Sequence, residues 1–176
     1  PLLKNSILPL IGTGIATAPA IGDIDGDGQS EIIIHGFAGK AYVVGFDGRL
    51  KKSMSMVPSA TSAVVAEDEM AVAFGQTSLF DLDGDGALEI ISPGVGRRIL
   101  VSLMLGGIRV PYRYLLGVWH GRNGTMVPSF PKVLTDTPMM GAPIIADVSG
   151  DGVPEIVVGD AGGELHAFTT GAAGGS

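Results

Sequence analysis

The sequence has no cysteine, which excludes a disulfide framework, a zinc-thiolate centre and a cysteine nucleophile. Charged residues (16%) and aromatics (6%) are scarce too, but 45% apolar content and a mean hydropathy of +0.40 speak against intrinsic disorder. Bases are in deficit, with 11 Lys and Arg against 18 Asp and Glu for a net charge of -7. A chain so short of positive charge lacks the surface that a nucleic-acid backbone demands. A long apolar run is also missing: the best stretch, Ile99 to Trp119, is broken by Arg109, Pro111 and Arg113, a poor membrane span. No basic-then-apolar leader follows Pro1, so a signal peptide, if one existed, is expected to have been removed. No Ser-His-Asp arrangement, phosphate loop or cofactor fingerprint is present, and Gly94-Val95-Gly96 reads as a turn. No segment carries a convincing amphipathic-helix pattern; Ala63 to Ala73 suits a strand pair around Glu67-Asp68-Glu69 as well as a helix.

Glycine, at 28 of 176 residues, is abundant and points to a fold of many turns. The acids are concentrated as well. Eleven of the 18 lie in three windows: Asp23, Asp25, Asp27, Glu31; Asp81, Asp83, Asp85, Glu89; and Asp147, Asp151, Glu155. The windows are copies of one ten-residue pattern, spaced by 58 and then 66 residues, with Gly at positions 4 and 6 and Ile at position 10. Short β-rich apolar runs stand on both sides of each copy. An aromatic before a glycine turn follows: Phe46 before Asp47-Gly48, Trp119 before Asn123-Gly124, and Phe168 before Thr170-Gly171. The repeating unit is thus strand, acidic loop, strand, turn, strand, and a fourth strand such as Leu50 to Val57. About 60 residues making four antiparallel strands is the size of one β-propeller blade, which must stack on neighbours to bury its faces.

The expected fold class is therefore all-β, with about three blades. Residues 1 to 17 read as the tail of a preceding blade. Residues 18 to 62 form the first, 63 to 130 the second, and 131 to 176 an incomplete third. Closed propellers usually have more than three blades, so the expectation is a segment of a longer propeller or a partial ring completed by other copies.

Within each loop, the glycines allow the backbone to wrap so that carboxylates at positions 1, 3, 5 and 9 converge. Such carboxylates repel one another, and a hard divalent cation relieves the conflict. All-oxygen donors select calcium over zinc or copper, and the wealth of protein oxygens disfavours magnesium. An EF-hand needs a bidentate Glu at position 12, but Ile34, Ser92 and Val158 stand there. The Glu at position 9 is expected to close the loop instead. Ser149 replaces an acid in the third loop, which makes it the weakest of up to three sites.

These loops with their flanking strands resemble the FG-GAP or VCBS-type repeats of integrin-α-like β-propellers over nearly the whole chain. The resemblance implies calcium ligands Asp23, Asp25, Asp27 and Glu31; Asp81, Asp83, Asp85 and Glu89; and Asp147, Ser149, Asp151 and Glu155. Backbone carbonyls of Gln29, Ala87 and Val153 would join them. Glu in place of Asp at position 9, and the lack of Gly-Ala-Pro after the loops, is similar to bacterial or archaeal extracellular members. The implied function is a calcium-binding module, extracellular or at the cell surface, non-catalytic, with structural, adhesion or protein- or glycan-binding roles. The alternative is the propeller of a polysaccharide-acting lyase or hydrolase whose catalytic residues lie outside this segment.

Two further features complete the reading. The middle unit carries an insertion near residues 97 to 113 with Arg97, Arg98, Arg109, Tyr112 and Arg113. It is either an interaction surface for a glycan or partner subunit, or a longer hairpin with solvated arginines. His35 and His166 read as structural strand residues, His120 as a surface residue near a turn, and methionines such as Met54 as core filler. Outside the three windows seven acids face eleven bases, so one Ca²⁺ per loop would bring the formal charge from -7 to about -1. A surface so nearly neutral suits packing against neighbours.

Overall fold

The computed structural model describes residues 17 to 36, 40 to 55, 70 to 71, 75 to 96, 114 to 138 and 141 to 170. These contain twelve β-strands and no helix. The insertion residues Arg97, Arg98, Arg109, Tyr112 and Arg113 lie outside the described residues. So do the turn Glu67-Asp68-Glu69 and the tail before Thr17.

Three antiparallel sheets follow one another along the chain. The first joins β1 (Ala20–Gly22), β2 (Glu31–Gly36), β3 (Lys40–Val44) and β4 (Leu50–Ser55) in sequence order. In the second, β7 (Glu89–Gly96) pairs with both β5 (Met70–Ala71) and β6 (Ser78–Phe80), then with β8 (Tyr114–Trp119), which pairs with β9 (Lys132–Leu134). The third orders β10 (Ile144–Ala146), β11 (Glu155–Gly159) and β12 (Leu165–Thr169). Each acidic loop joins the first two strands of a unit: β1 to β2, β6 to β7, and β10 to β11. The described end of the second sheet, β9, lies just past residue 130, where the second unit was expected to close. Gly94-Val95-Gly96 is not a turn: it continues β7, where Gly94 and Val95 pair with β8 and Val95 and Gly96 with β5.

The two-residue period of the strands explains the layering. On β7, Ile90 joins a core with Ile33, Ala41, Val43 and Met54 of the first sheet, while its neighbour Ile91 joins one with Ile156 and Val158 of the third. Leu115 and Leu116 on β8 divide in the same way. The middle sheet is thus buried on both faces. Gly117 shares a face with Trp119, and a Cβ there would sit 2.1 Å from the indole, so glycine makes room for the largest core side chain. The outer sheets each keep an apolar row that is only partly covered among the described residues. A cross-strand row of Ile21, Ile32, Val44 and Leu50 lines the first, with Ile21 68% and Leu50 60% exposed. Ile144, paired through Val157 to Ala167, lines the third and is 66% exposed.

Candidate metal centres

The three loops share one hydrogen-bond net. The carboxylate at position 1 accepts the N–H groups of positions 4, 5 and 6. Asp23 takes those of Gly26, Asp27 and Gly28; Asp81 those of Gly84, Asp85 and Gly86; Asp147 those of Gly150, Asp151 and Gly152. The aspartate at position 5 then accepts the N–H of position 7, at Gln29, Ala87 and Val153. The turn requires left-handed backbone at positions 4 and 6, and the six glycines there have φ from +76° to +88°. Desolvation opposes ionisation of Asp23, but bonds from Gly28, Gly26 and Asp27 outweigh it and hold the carboxyl below its ordinary range. Asp147 is lowered chiefly by the Gly152 N–H.

With the position-1 oxygens bound to the backbone, carboxylate oxygens still gather at the first two centres. Asp23, Asp25 and Asp27 bring ligand atoms within 4.8 Å of one another, as do Asp81, Asp83 and Asp85. Acidic groups that could hold a metal ion are therefore present. The third loop has only Asp147 and Asp151 around Ser149, whose hydroxyl lies 3.5 Å from Asp147 Oδ1.

The glutamates at position 9 are buried, with Glu31 0%, Glu89 2% and Glu155 4% exposed. Each uses Oε2 to accept the N–H of position 2, at Ile24, Leu82 and Val148. This latch ties the end of the loop to its beginning and, at Ile24 and Leu82, pairs a backbone donor that burial would otherwise leave stranded. The other oxygen differs between loops. In the first, Glu31 Oε1 lies 2.5 Å from Lys51 Nζ on β4, and the same ammonium is 3.3 Å from Asp27 and 3.5 Å from Asp25. The bond to Glu31 is the main cause holding the Lys51 ammonium above its ordinary pKa. In the second, Glu89 Oε1 faces His120 Nδ1 at 3.3 Å, with Asp83 Oδ2 at 4.0 Å from the same nitrogen. Burial pushes the Glu89 carboxyl up, against opposing bonds from the Leu82 N–H and His120. His120 is thus turned toward the second loop rather than simply displayed on the surface.

The first two loops interlock. Leu88 N–H donates to Asp23 O, and Lys52 Nζ donates to the carbonyls of Gly121 and Arg122. Arg122 donates to the Asp85 carbonyl while its guanidinium lies against Gly26. Gly121 sits where a Cβ would be 2.3 Å from Ile24 O and 2.4 Å from Leu88 O.

A separate polar cluster occupies the hairpin between β11 and β12. Asp160 Oδ2 accepts from Thr135 Oγ1 (2.6 Å) and the Asp136 N–H (3.1 Å), and lies 2.9 Å from His166 Nε2. Thr135 Oγ1 also reaches Glu164 at 2.7 Å. The Thr135 bond, followed by His166, holds the Asp160 carboxyl far below its ordinary range. Asp160, Glu164 and His166 have the spacing of metal ligands, but their atoms are already spent on each other and on the β9 side of the chain. The turn residues Asp160-Ala-Gly-Gly-Glu164 are legible as a hairpin in the sequence; the approach of Thr135 is not.

His35, by contrast, is a buried strand residue, but its Nδ1 has no hydrogen-bond partner among the described residues. It is 2% exposed, and its Nε2 lies 3.4 Å from Ser92 Oγ. The chain matches no protein-family model and no curated protein. No helix among the described residues is long and apolar enough to cross a membrane.

Proposed function

We propose that this chain is part of a calcium-binding β-propeller of the FG-GAP or VCBS type, a non-catalytic extracellular module with a structural or adhesive role. The observation that carries the reading is the threefold recurrence of one loop. The same core of backbone bonds recurs in each copy, its glutamate latch is buried, and two copies gather three aspartates around one point. A solvated turn has no need of convergent carboxylates. A cation joining them offsets their mutual repulsion, and an all-oxygen donor set favours calcium. A dissociation constant of about 10⁻⁴–10⁻³ M, the range of extracellular calcium modules, is expected at these loops.

The interlock of the first two loops gives the cation a mechanical role. It would stiffen the contact between adjacent loops where Leu88 bonds Asp23. The partly exposed rows Ile21-Ile32-Val44-Leu50 and Ile144-Val157-Ala167 support further stacking, onto other blades or a second copy. The residues Arg97, Arg98, Arg109, Tyr112 and Arg113 are our candidates for contacting a glycan or protein partner. Thermal unfolding and limited proteolysis with and without a chelator test the reading. Chelation should lower the melting temperature and open the loops to cleavage; a chelator-insensitive protein would refute it.

A further inference from the structure

The chain builds one sheet-to-sheet interface twice. Strand residues alternate, so position 10 of each repeat faces the preceding sheet and position 11 the following one. In the first contact the cross-strand row Ala20-Ile33-Val43 packs against Leu79-Ile90-Trp119. In the second, Ile91 and Val118 pack against Ile145-Ile156-Phe168. Each end of the stack then carries one half of the same interface. The first sheet presents a position-10 row, Ile21-Ile32-Val44-Leu50, and the third a position-11 row, Ile144-Val157-Ala167, with Ile21, Leu50 and Ile144 exposed.

The acidic loops show the same unsatisfied halves independently. The residue at position 2 is buried where another sheet follows, with Ile24 0% and Leu82 9% exposed, but Val148 of the third loop is 61% exposed. Position 8 makes a bond back to the preceding loop, from the Leu88 N–H to Asp23 O. Pro154 holds that position in the third loop and has no N–H to give. Ser30 holds it in the first loop, exposed and with a donor, while Asp147, the counterpart of Asp23, is exposed at the other end.

We propose that a second copy of this chain docks head to tail on the first, its Ile21-Ile32-Val44-Leu50 row seated on the Ile144-Val157-Ala167 row and Val148. Its Ser30 N–H then donates to the Asp147 carbonyl, as Leu88 does to Asp23 within one copy. The proposal rests on reading the sheets as stacked blades and needs no calcium. The two surfaces differ, so the contact is heterologous and extends to a ring or a filament. The occupant is a second copy because each row is the register equivalent of one that this chain already buries against the other kind.

Cross-linking and mixing of the full chain test this. A Cβ built at Gly22 lies 4.0 Å from Leu79 Cβ, within the disulfide range of about 3.5–4.5 Å. The register equivalents are Ala146 at one end and Ile21 at the other, and the chain has no cysteine of its own. Mild oxidation should give a disulfide dimer when Ala146→Cys and Ile21→Cys are mixed, and none with either variant alone. By light scattering, wild type should have the mass of two or more copies. Ile21→Glu and Ile144→Glu, both at exposed positions, should each associate at least about tenfold more weakly alone, yet form a dimer with each other, because each keeps one intact row. A monomeric wild type, or cross-linking as strong in the unmixed variants, would overturn the proposal. A mixed cross-link in a protein whose melting temperature ignores a chelator would support this contact and refute the calcium reading separately.

Discussion

The ammonium of Lys51 lies 2.5 Å from Oε1 of the fully buried Glu31, at the point where Asp25 and Asp27 also converge. The first loop thus carries an internal cation where a metal would compete. Removing it should favour the metal: Lys51→Met is expected to raise calcium affinity at this loop by about tenfold, because the ammonium repels an incoming cation at the same carboxylates. Without calcium, the same variant should be less stable than wild type. Titration calorimetry and denaturant melts in both conditions check the pair of outcomes.

The glutamate latch predicts a different response. Glu31→Ala leaves the Ile24 N–H without its acceptor and Lys51 without its closest partner. A loss of about 3 kcal/mol in urea unfolding is expected, whether or not calcium is present, because the backbone bond needs no metal. A variant that loses stability only in calcium would mean that Glu31 acts purely as a ligand.

Two glycines that look alike in sequence should behave differently. At Gly28 a Cβ meets nothing within 4 Å, so Gly28→Ala costs only the left-handed backbone, about 1–2 kcal/mol. At Gly121 a Cβ would press on the Ile24 and Leu88 carbonyls from both interlocked loops. Gly121→Ala should cost about 3 kcal/mol and weaken calcium binding at both loops. Paired thermal melts and titrations separate the two effects.

Burial of His35 depresses its pKa to about 4. A buried neutral imidazole stabilises the fold fully above the unfolded pKa of ~6.5, and the contribution is lost as pH falls toward 4 because the unfolded chain takes up the proton first. The full span corresponds to about 3 kcal/mol. Comparing wild type with His35→Leu between pH 7 and 4.5 should show a shallower acid loss in the variant; parallel curves would contradict the assignment.

The strands beside each loop and the positive-φ glycines were legible because one ten-residue pattern fixes both. Ile90 and Ile91 also declare the two-sided burial of β7 once strand alternation is applied. What could not be read was which side chain would approach from another strand. Lys51 reaches Glu31 from β4, across an irregularity in register between Val43 and Val44, and no local pattern encodes that. His120 lies next to a turn, which suggested simple exposure, yet the antiparallel pairing of β7 with β8 sets Trp119 opposite Ile90 and carries its neighbour to Glu89. Gly94-Val95-Gly96 has turn composition, but its backbone bonds are taken by strands on both sides.

The central claim, that the repeated loops are calcium sites, is tested most directly by titrating calcium into the metal-free chain by calorimetry. The account predicts saturable binding of one ion per loop, weakest at the third, where Ser149 replaces an acid, and abolished at the second by Asp81→Asn with Asp85→Asn. No measurable binding at millimolar calcium, or binding indifferent to those substitutions, would contradict it.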